Sequence, residues 1–185
     1  MELTKAIQER YSCKNFSSKK PNWRTIIECI DSARFAPMAG NTFSLKFILI
    51  DDSEKIQKLA EASQQSFIKN AHFVVAVLTH SFLTENAFEE RGKKYLQQQA
   101  GAAIQNILLK ITEAGLSTCW VGHFVDEQVK EILGVPESIE IEALLPIGYE
   151  LKKSKTRKAK INLDAVLYFN KYKNKNMMNI KKIDV

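Results

Sequence analysis

Basic side chains lie close together at two points of the sequence, one near each end. Arg10 and Lys14 follow the opening segment with Ser12 between them, and Lys155 and Arg157 stand at alternate positions near the C-terminus. Guanidinium and ammonium groups with a hydroxyl beside them are suited to binding a phosphate. Taken alone, each pair is more typical of a solvated surface patch. The two pairs predict an anion site only if the segments between them supply a common ligand.

Two loop-forming segments lie between the basic pairs. In Ala36–Asn41, proline and glycine indicate a fixed loop, and the amide of Asn41 offers both a donor and an acceptor. In Thr118–Gly122, a glycine at the end of a short strand would let the backbone approach a flat ligand closely. An ordinary helix-to-strand turn and a bulge remain the alternatives for these two segments. Bound to one ligand, however, they would complete a site for a flat, phosphorylated molecule.

The elements that must position these segments alternate between helices and apolar strands. Apolar spacing predicts helices over residues 2–10, 23–34 and 54–65, and a short helix capped by Asp126. A long helix is predicted over about 85–114, and its second half is small or apolar nearly all round, which is typical of a central or interfacial helix. Strands are predicted over 46–50, 73–78, 118–121 and 139–149. Pro146 predicts an edge or a bulge at the end of the last strand.

Composition sets the class of protein. The chain has 185 residues, which suits one domain, and 45% hydrophobic and 26% charged residues are ordinary for a globular protein. We expect a cytoplasmic protein, because the opening segment lacks a signal-peptide core, no apolar run is long enough for a membrane span, and the three cysteines are scattered. The net charge of +6 leaves a nucleic-acid binder as a minor alternative. No phosphate loop, dinucleotide turn or metal-ligand spacing is found, so we expect no metal site.

In this order, the four segments resemble the FMN-dependent nitroreductase family, over roughly residues 2–165. The matching positions are the Arg-x-Ser-x-Lys motif, the loop proline and asparagine, the flavin-facing glycine and the Lys-x-Arg pair: Arg10, Ser12, Lys14, Pro37, Asn41, Gly122, Lys155 and Arg157. Several positions depart from the family's pattern, and one departure is Ser44-Leu45 in place of a Pro-Trp pair that often follows the loop. Met38 and Phe43 replace the loop's serine and glutamine, and Val121 replaces an acidic residue that many members carry before the glycine.

The resemblance implies an α+β fold, a three-layer α/β/α sandwich whose central sheet is mixed but mainly antiparallel. It also implies an intertwined homodimer with FMN at the subunit interface and the Pro37–Asn41 loop supplied by the partner subunit. Residues 1–165 would form the FMN-binding domain. Residues 166–185 would form an extension that wraps the partner subunit or frays. We expect no nucleic-acid or membrane partner.

The resemblance also assigns roles in the site. Arg10, Lys155 and Arg157 would neutralise the FMN phosphate, Ser12 would bind it, and Lys14 would lie at the pyrimidine edge of the ring. No side chain would act as a catalytic residue, because Lys14 and the backbone of Gly122 would only tune the cofactor. The full set expected to bind FMN is Arg10, Tyr11, Ser12, Lys14, Pro37, Met38, Ala39, Asn41, Gln64, Cys119, Trp120, Val121, Gly122, Lys155 and Arg157.

The activity implied is a ping-pong reaction in which NADH or NADPH delivers hydride to FMN and a second substrate is then reduced. The acceptors would be nitroaromatics, quinones or similar electron-poor molecules. Two alternatives stay open. One is a specialised branch of the same fold, a reductive dehalogenase or a flavin-fragmenting enzyme, for which residues 81–94 are the candidate lid. The other is a flavin-binding or storage protein without catalytic activity.

Overall fold

Four strands of the computed structural model form one sheet in the order β1-β2-β4-β3, and every neighbouring pair is antiparallel. The strands are β1 (Leu45–Ile50), β2 (Phe73–His80), β3 (Ser117–Thr118) and β4 (Ile139–Gly148). Every residue of β2 except His80 is buried, as expected for a continuous apolar strand that is covered on both faces. A parallel bridge joins Ser12 to Thr118. The predicted sheet, mixed but mainly antiparallel, is therefore confirmed.

Helices cover both faces of this sheet. They are α1 (Leu3–Glu9), α2 (Trp23–Asp31), α3 (Ser53–Ala62), α4 (Phe82–Phe88), α5 (Glu90–Glu113) and α6 (Asp126–Leu133). Because side chains alternate along a strand, Val75 and Val77 of β2 pack with α2 and α5, whereas Val74 and Ala76 pack with α3 and α6. This arrangement confirms the three-layer α/β/α sandwich.

The long helix predicted over 85–114 is two helices. The chain turns sharply at Glu89, where φ is +50°, and α4 then packs back against the start of α5. Gly92 permits that close packing, because a Cβ atom there would lie 2.6 Å from the Cα of Glu85. One face of α5 is buried, but Gly101 and Ala102 are half-exposed. The second half of α5 is apolar nearly all round, as predicted, but the part of its surface at Gly101 and Ala102 is not fully covered within this chain.

Two local predictions were wrong. The residue before α6 that acts as its N-cap is Val125, and Asp126 is the first helical residue. Strand β4 is an interior strand, so Pro146 does not mark an edge. Leu144 exchanges both backbone hydrogen bonds with Val121, so Pro146, two residues on, faces the same side. The hydrogen-bond ladder on this side of β4 is interrupted between Thr118 and Val121. The N–H that Pro146 lacks would face this gap, so the proline is tolerated there.

The structure describes residues 1–80, 82–152 and 161–177. The chain divides into two units, Met1–Ser154 and Lys155–Val185. Within the described part of the second unit, Asn162 caps the short helix α7 (Leu163–Val166) and Lys175 donates a hydrogen bond to the carbonyl of Leu167. Lys155 and Arg157 of the predicted phosphate site lie outside the described residues. No helix within the described ranges has the length and apolar character to cross a membrane.

Candidate functional site

The segment after α1 is fixed to the end of the sheet by backbone hydrogen bonds. The amide of Cys13 donates to the carbonyl of Thr118 (2.9 Å), and the amide of Ser17 donates to the carbonyl of Tyr149 (2.8 Å). The buried ring of Phe16 then packs against Gly148, where a Cβ atom would lie only 2.9 Å from the ring. These contacts hold Arg10–Lys14 beside β3, although the two segments are far apart in the sequence.

Three of the predicted phosphate and ring-edge residues converge on Cys119. Burial raises the pKa of the Cys119 thiol, and a hydrogen bond from Ser12 together with the charges of Lys14 and Arg10 offsets part of this rise. The physical reason for these effects is the bridge between Ser12 and Thr118, which places the segment beside the residue that carries the thiol. The first and third segments of the sequence prediction therefore lie together in space.

Lys14 is held by an aromatic ring that the sequence analysis did not identify. Its Nζ lies 5.5 Å from the ring centroid of Phe67, within the range of a cation–π interaction. Gln64 lies three residues before Phe67, is exposed, and has a φ of +51°. The turn from Gln64 to Phe67 therefore brings α3 and the N-terminal segment to the same site. No spacing pattern in the sequence relates Phe67 to Lys14.

The backbone after β3 presents an open surface. Val121 is buried and exchanges two hydrogen bonds with Leu144 of β4, so the chain is held to the sheet just before Gly122. Gly122 is exposed, and a Cβ atom there would meet only the side chain of Trp120, at 3.7 Å. Trp120 is itself 42% exposed. A flat molecule could therefore approach the peptide backbone at Gly122 without a steric barrier from the described residues.

The buried polar atoms near this site are informative. The hydroxyl of Tyr11 is buried, and burial followed by the nearby Glu150 carboxylate raises the pKa of this phenol. The Oγ1 of Thr118 is also buried and has no hydrogen-bond partner among the described residues. Buried polar atoms are normally paired, so an unpaired hydroxyl marks an unusual position. Tyr11 thus lies on the inner side of the segment, and Thr118 belongs to a predicted segment but not to the set of residues expected to bind FMN.

The Pro37–Asn41 loop lies elsewhere in the same chain. It precedes β1, and Pro37, Met38 and Ala39 line a shallow cavity of about 250 Å³ against α5. Cys119 and Val121 pack with the helices on the other face of the sheet. β1 and β3 are also opposite edge strands, so the loop and the N-terminal segment lie at opposite corners. The loop and the N-terminal segment are separated by three strand spacings across the sheet and by six residues along β2, which makes the distance between them roughly 20–25 Å.

The structure therefore brings together part of the predicted set. The segment that carries Arg10, Ser12 and Lys14 lies beside Thr118 and Cys119, and the Trp120–Gly122 backbone continues from there. The four loop residues Pro37, Met38, Ala39 and Asn41 lie apart in this chain. No group of three or more potential metal ligands is found among the described residues.

A sequence model of the nitroreductase family matches two overlapping stretches, residues 7–71 and 61–149. The chain belongs to the nitroreductase family. It is an oxidoreductase of that family, and the matched stretches include the N-terminal segment, the Pro37–Asn41 loop and the Gly122 region.

Several proteins resemble this member of the family along most of their length. A protein of Archaeoglobus fulgidus, named as a candidate NADH dehydrogenase/NAD(P)H nitroreductase, is 28% identical over 153 residues, covering 80% of this chain and 85% of its own. The oxygen-insensitive NADPH nitroreductase of Helicobacter pylori strain 26695 is 24% identical, covering 88% and 94%. The iodotyrosine deiodinase of Thermotoga neapolitana is 22% identical, covering 77% and 85%.

Solved structures show the same fold. A nitroreductase family protein of Clostridium difficile 630 superposes with a TM-score of 0.80 at 26% identity, covering 94% of this chain and 99% of the other. An FMN-dependent nitroreductase of Clostridium difficile R20291 superposes with a TM-score of 0.77 at 21% identity, covering 90% and 98%. The nitroreductase fold therefore extends over nearly the whole chain.

Proposed function

We propose that this protein is an FMN-dependent, homodimeric oxidoreductase that uses NADH or NADPH to reduce nitroaromatics, quinones or similar electron-poor acceptors. The observation that carries the proposal is the bridge between Ser12 and Thr118, which brings the segment with Arg10 and Lys14 beside Cys119 and the open backbone of Gly122. Two cations and a hydroxyl are a suitable donor set for a phosphate, and an exposed glycine suits the approach of a flat ring. The residues present therefore fit FMN.

At the phosphate end, Arg10 would supply charge and paired N–H donors, and Ser12 would add a neutral hydrogen bond. Arg10 lies at the end of α1, where its backbone N–H is bonded to the carbonyl of Ala6, so its starting position is fixed. In this proposal, Lys155 and Arg157 complete the phosphate site. Because the phosphate would be bound by three cations, added salt would screen this attraction and weaken the binding of FMN.

At the ring end, Lys14 would lie against the pyrimidine edge, and the backbone N–H at Val121 or Gly122 would face the reactive nitrogen. When bound, FMN would supply the two-electron chemistry between the nicotinamide and the acceptor. A fixed cation about 4 Å from a developing negative charge is worth at most ~4 kcal/mol at an effective dielectric near 20. Since ~1.4 kcal/mol corresponds to ~30 mV for two electrons, Lys14 would raise the potential by tens of millivolts.

A dimer accounts for the position of the Pro37–Asn41 loop. Within one chain the loop lies on the α5 face of the sheet, across the sheet from Cys119 and Val121. A mononucleotide bound at Arg10 would not reach the loop of its own chain. The same loop of a second copy would contact the mononucleotide. The half-exposed small residues of α5, Gly101 and Ala102, are suited to close packing against a partner. We further propose that residues 166–185 wrap the partner subunit.

The direct test is the absorbance spectrum of the purified protein, in which bound FMN gives visible flavin bands. The variant Arg10→Ala combined with Arg157→Ala should fold but contain little FMN. Arg34→Ala is the matched control, because Arg34 forms an ion pair with Asp31 and stacks on Phe35, outside the proposed site. Full flavin occupancy in the double variant would remove the phosphate assignment. A flavin-loaded protein that NADH and NADPH fail to bleach without oxygen would favour storage.

A second candidate function is reductive dehalogenation. It is favoured by the resemblance to the Thermotoga neapolitana protein, which is named as an iodotyrosine deiodinase. The candidate lid, residues 81–94, includes α4, the turn at Glu89 and the start of α5. Release of iodide from iodotyrosine by the reduced protein, at a rate above that of nitroaromatic reduction, would establish this function in place of the first.

A further inference from the structure

The segment from Pro37 to Ser44, here called the cofactor loop, is held by side chains of α4 and α5 in addition to one backbone hydrogen bond, from the amide of His80 in β2 to the carbonyl of Ser44 (2.9 Å). The amide of Ser44 donates to the Gln99 side-chain oxygen (3.3 Å), and the Gln99 nitrogen donates to the carbonyl of Thr42 (3.2 Å). Gln99 lies on α5 and is only 4% exposed. One buried amide thus satisfies a donor and an acceptor of the loop backbone.

A second contact joins the loop to α4. The hydroxyls of Ser44 and Thr84 are 2.8 Å apart, and both residues are buried. On the other side of the loop, the ring of Phe88 lies against Gly40, only 3.1 Å from where a Cβ atom would stand. Helix α4 is therefore attached to the loop at two points, one polar and one apolar.

The loop turns through two residues in the left-handed region. Gly40 and Asn41 both have a φ of +57°, which glycine adopts freely and asparagine tolerates better than most residues, so the backbone turn itself needs no special support. Burying Gln99 and Thr84 would itself cost free energy if their polar atoms were unpaired. An apolar pair would fill the same space but leave the amide of Ser44 and the carbonyl of Thr42 without partners. The polar network therefore selects one loop conformation.

We propose that Gln99 and Thr84 are positioning residues that hold the cofactor loop in the conformation in which it meets the FMN of the partner subunit. The inference rests on the proposed function. Under it, α4 is a fixed brace for the loop. Neither residue touches the cofactor, and each acts through the backbone or side chain of Ser44.

The test compares two identical substitutions. Thr84→Val removes the hydroxyl that contacts Ser44, whereas Thr112→Val removes a hydroxyl that donates only within its own helix, to the carbonyl of Leu108 (2.8 Å). Thr84→Val should lose more thermal stability than Thr112→Val as an apoprotein, because it leaves the buried Ser44 hydroxyl without this partner. Only Thr84→Val should raise the Kd for FMN, by about tenfold, which corresponds to ~1.4 kcal/mol. Thr84→Ser, which keeps the hydroxyl, should restore wild-type affinity.

Gln99→Leu provides an independent variant and a readout that does not require FMN. Hydrogen exchange of the apoprotein should show faster exchange at the Ser44 amide, and the Kd for FMN should rise by at least tenfold. Faster exchange with an unchanged Kd would overturn the inference, since the loop would be braced but not used for the cofactor. Equal Kd values for Thr84→Val and Thr112→Val would overturn it as well. A wild-type protein without FMN affinity would instead refute the proposed function.

Discussion

Replacing Gly148 by alanine tests whether the packing of Phe16 positions the N-terminal segment. A Cβ atom at residue 148 would lie 2.9 Å from Cδ1 of the Phe16 ring and 3.4 Å from its Cγ. Ordinary contact begins near 3.4 Å, so the ring must move by about 0.5 Å, and Phe16 is only 5% exposed. Because Asn15 and Ser17 on either side are bonded to Leu151 and Tyr149, a backbone shift that relieved the contact would strain these hydrogen bonds, and the buried ring has little room to rotate.

We expect Gly148→Ala to lower the free energy of unfolding by about 2 kcal/mol, within the ~1–3 kcal/mol typical of overpacking. A domain of this size is stable by only ~5–15 kcal/mol, so the change is easily measured. The assay is urea denaturation, in which the slope of the unfolding free energy against urea concentration should match that of the wild type, followed by FMN titration of the folded variant. The segment carries Arg10, Ser12 and Lys14, so the Kd for FMN should rise as well.

A double-mutant cycle assigns the cause. In a Phe16→Leu background the aromatic ring is absent, and the flexible leucine can turn its methyl groups away from residue 148. Gly148→Ala should then cost about 1 kcal/mol less than it does in the wild type, a coupling typical of residues in contact. Equal costs in both backgrounds, or a Gly148→Ala protein with wild-type stability and FMN affinity, would refute the reasoning.

Three further variants test other contacts. Gly92→Ala should destabilise the protein by about 3 kcal/mol in urea denaturation, because its Cβ atom would lie 2.6 Å from the backbone of Glu85; wild-type stability would contradict the packing of α4 on α5. Burial raises the pKa of Cys29 to about 11, so the folded chain holds this thiol proton more tightly than the unfolded chain. The stability that results, at most ~3 kcal/mol, is present below about pH 9 and is lost by about pH 11. Under reducing conditions, the free energy of unfolding of Cys29→Ala should therefore fall less steeply over this pH range than that of the wild type. Lys14→Ala should retain FMN but lower its reduction potential by tens of millivolts in a potentiometric titration, whereas Lys19→Ala, whose ammonium lies over Tyr149, should not.

Local patterns in the sequence were sufficient for most elements of the fold. The apolar run from Phe73 predicted β2. Glycines with positive φ stand at the ends of two helices, Gly115 just after the C-cap of α5 and Gly134 as the C-cap of α6. Strand burial and helix termination can be read from the sequence because they depend on residues that are neighbours in the chain. The order of the four short segments was also sufficient to indicate the nitroreductase family, although each segment alone favoured a surface patch or a turn.

The turn at Glu89 was not predictable from the apolar pattern, because both helices satisfy the same spacing. The chain breaks there because α4 packs back on α5 at Gly92, a contact that no local propensity encodes. Pro146 was misassigned for a related reason. A proline can occupy an interior strand when the neighbouring ladder is interrupted at its position, and that interruption depends on the register of β3.

The sequence by itself thus indicated the family and most of the helices and strands, and it predicted the residue types of a phosphate site. Only the tertiary structure decided which of those residues meet. The pairing of Ser12 with Thr118 brings Arg10 and Lys14 to Cys119, and sheet order sends the Pro37–Asn41 loop to the opposite corner. Sheet register and strand order join residues distant in the chain, and they are set by the packing of whole elements against each other. A single sequence records the residues that pack, but not which of them will be neighbours.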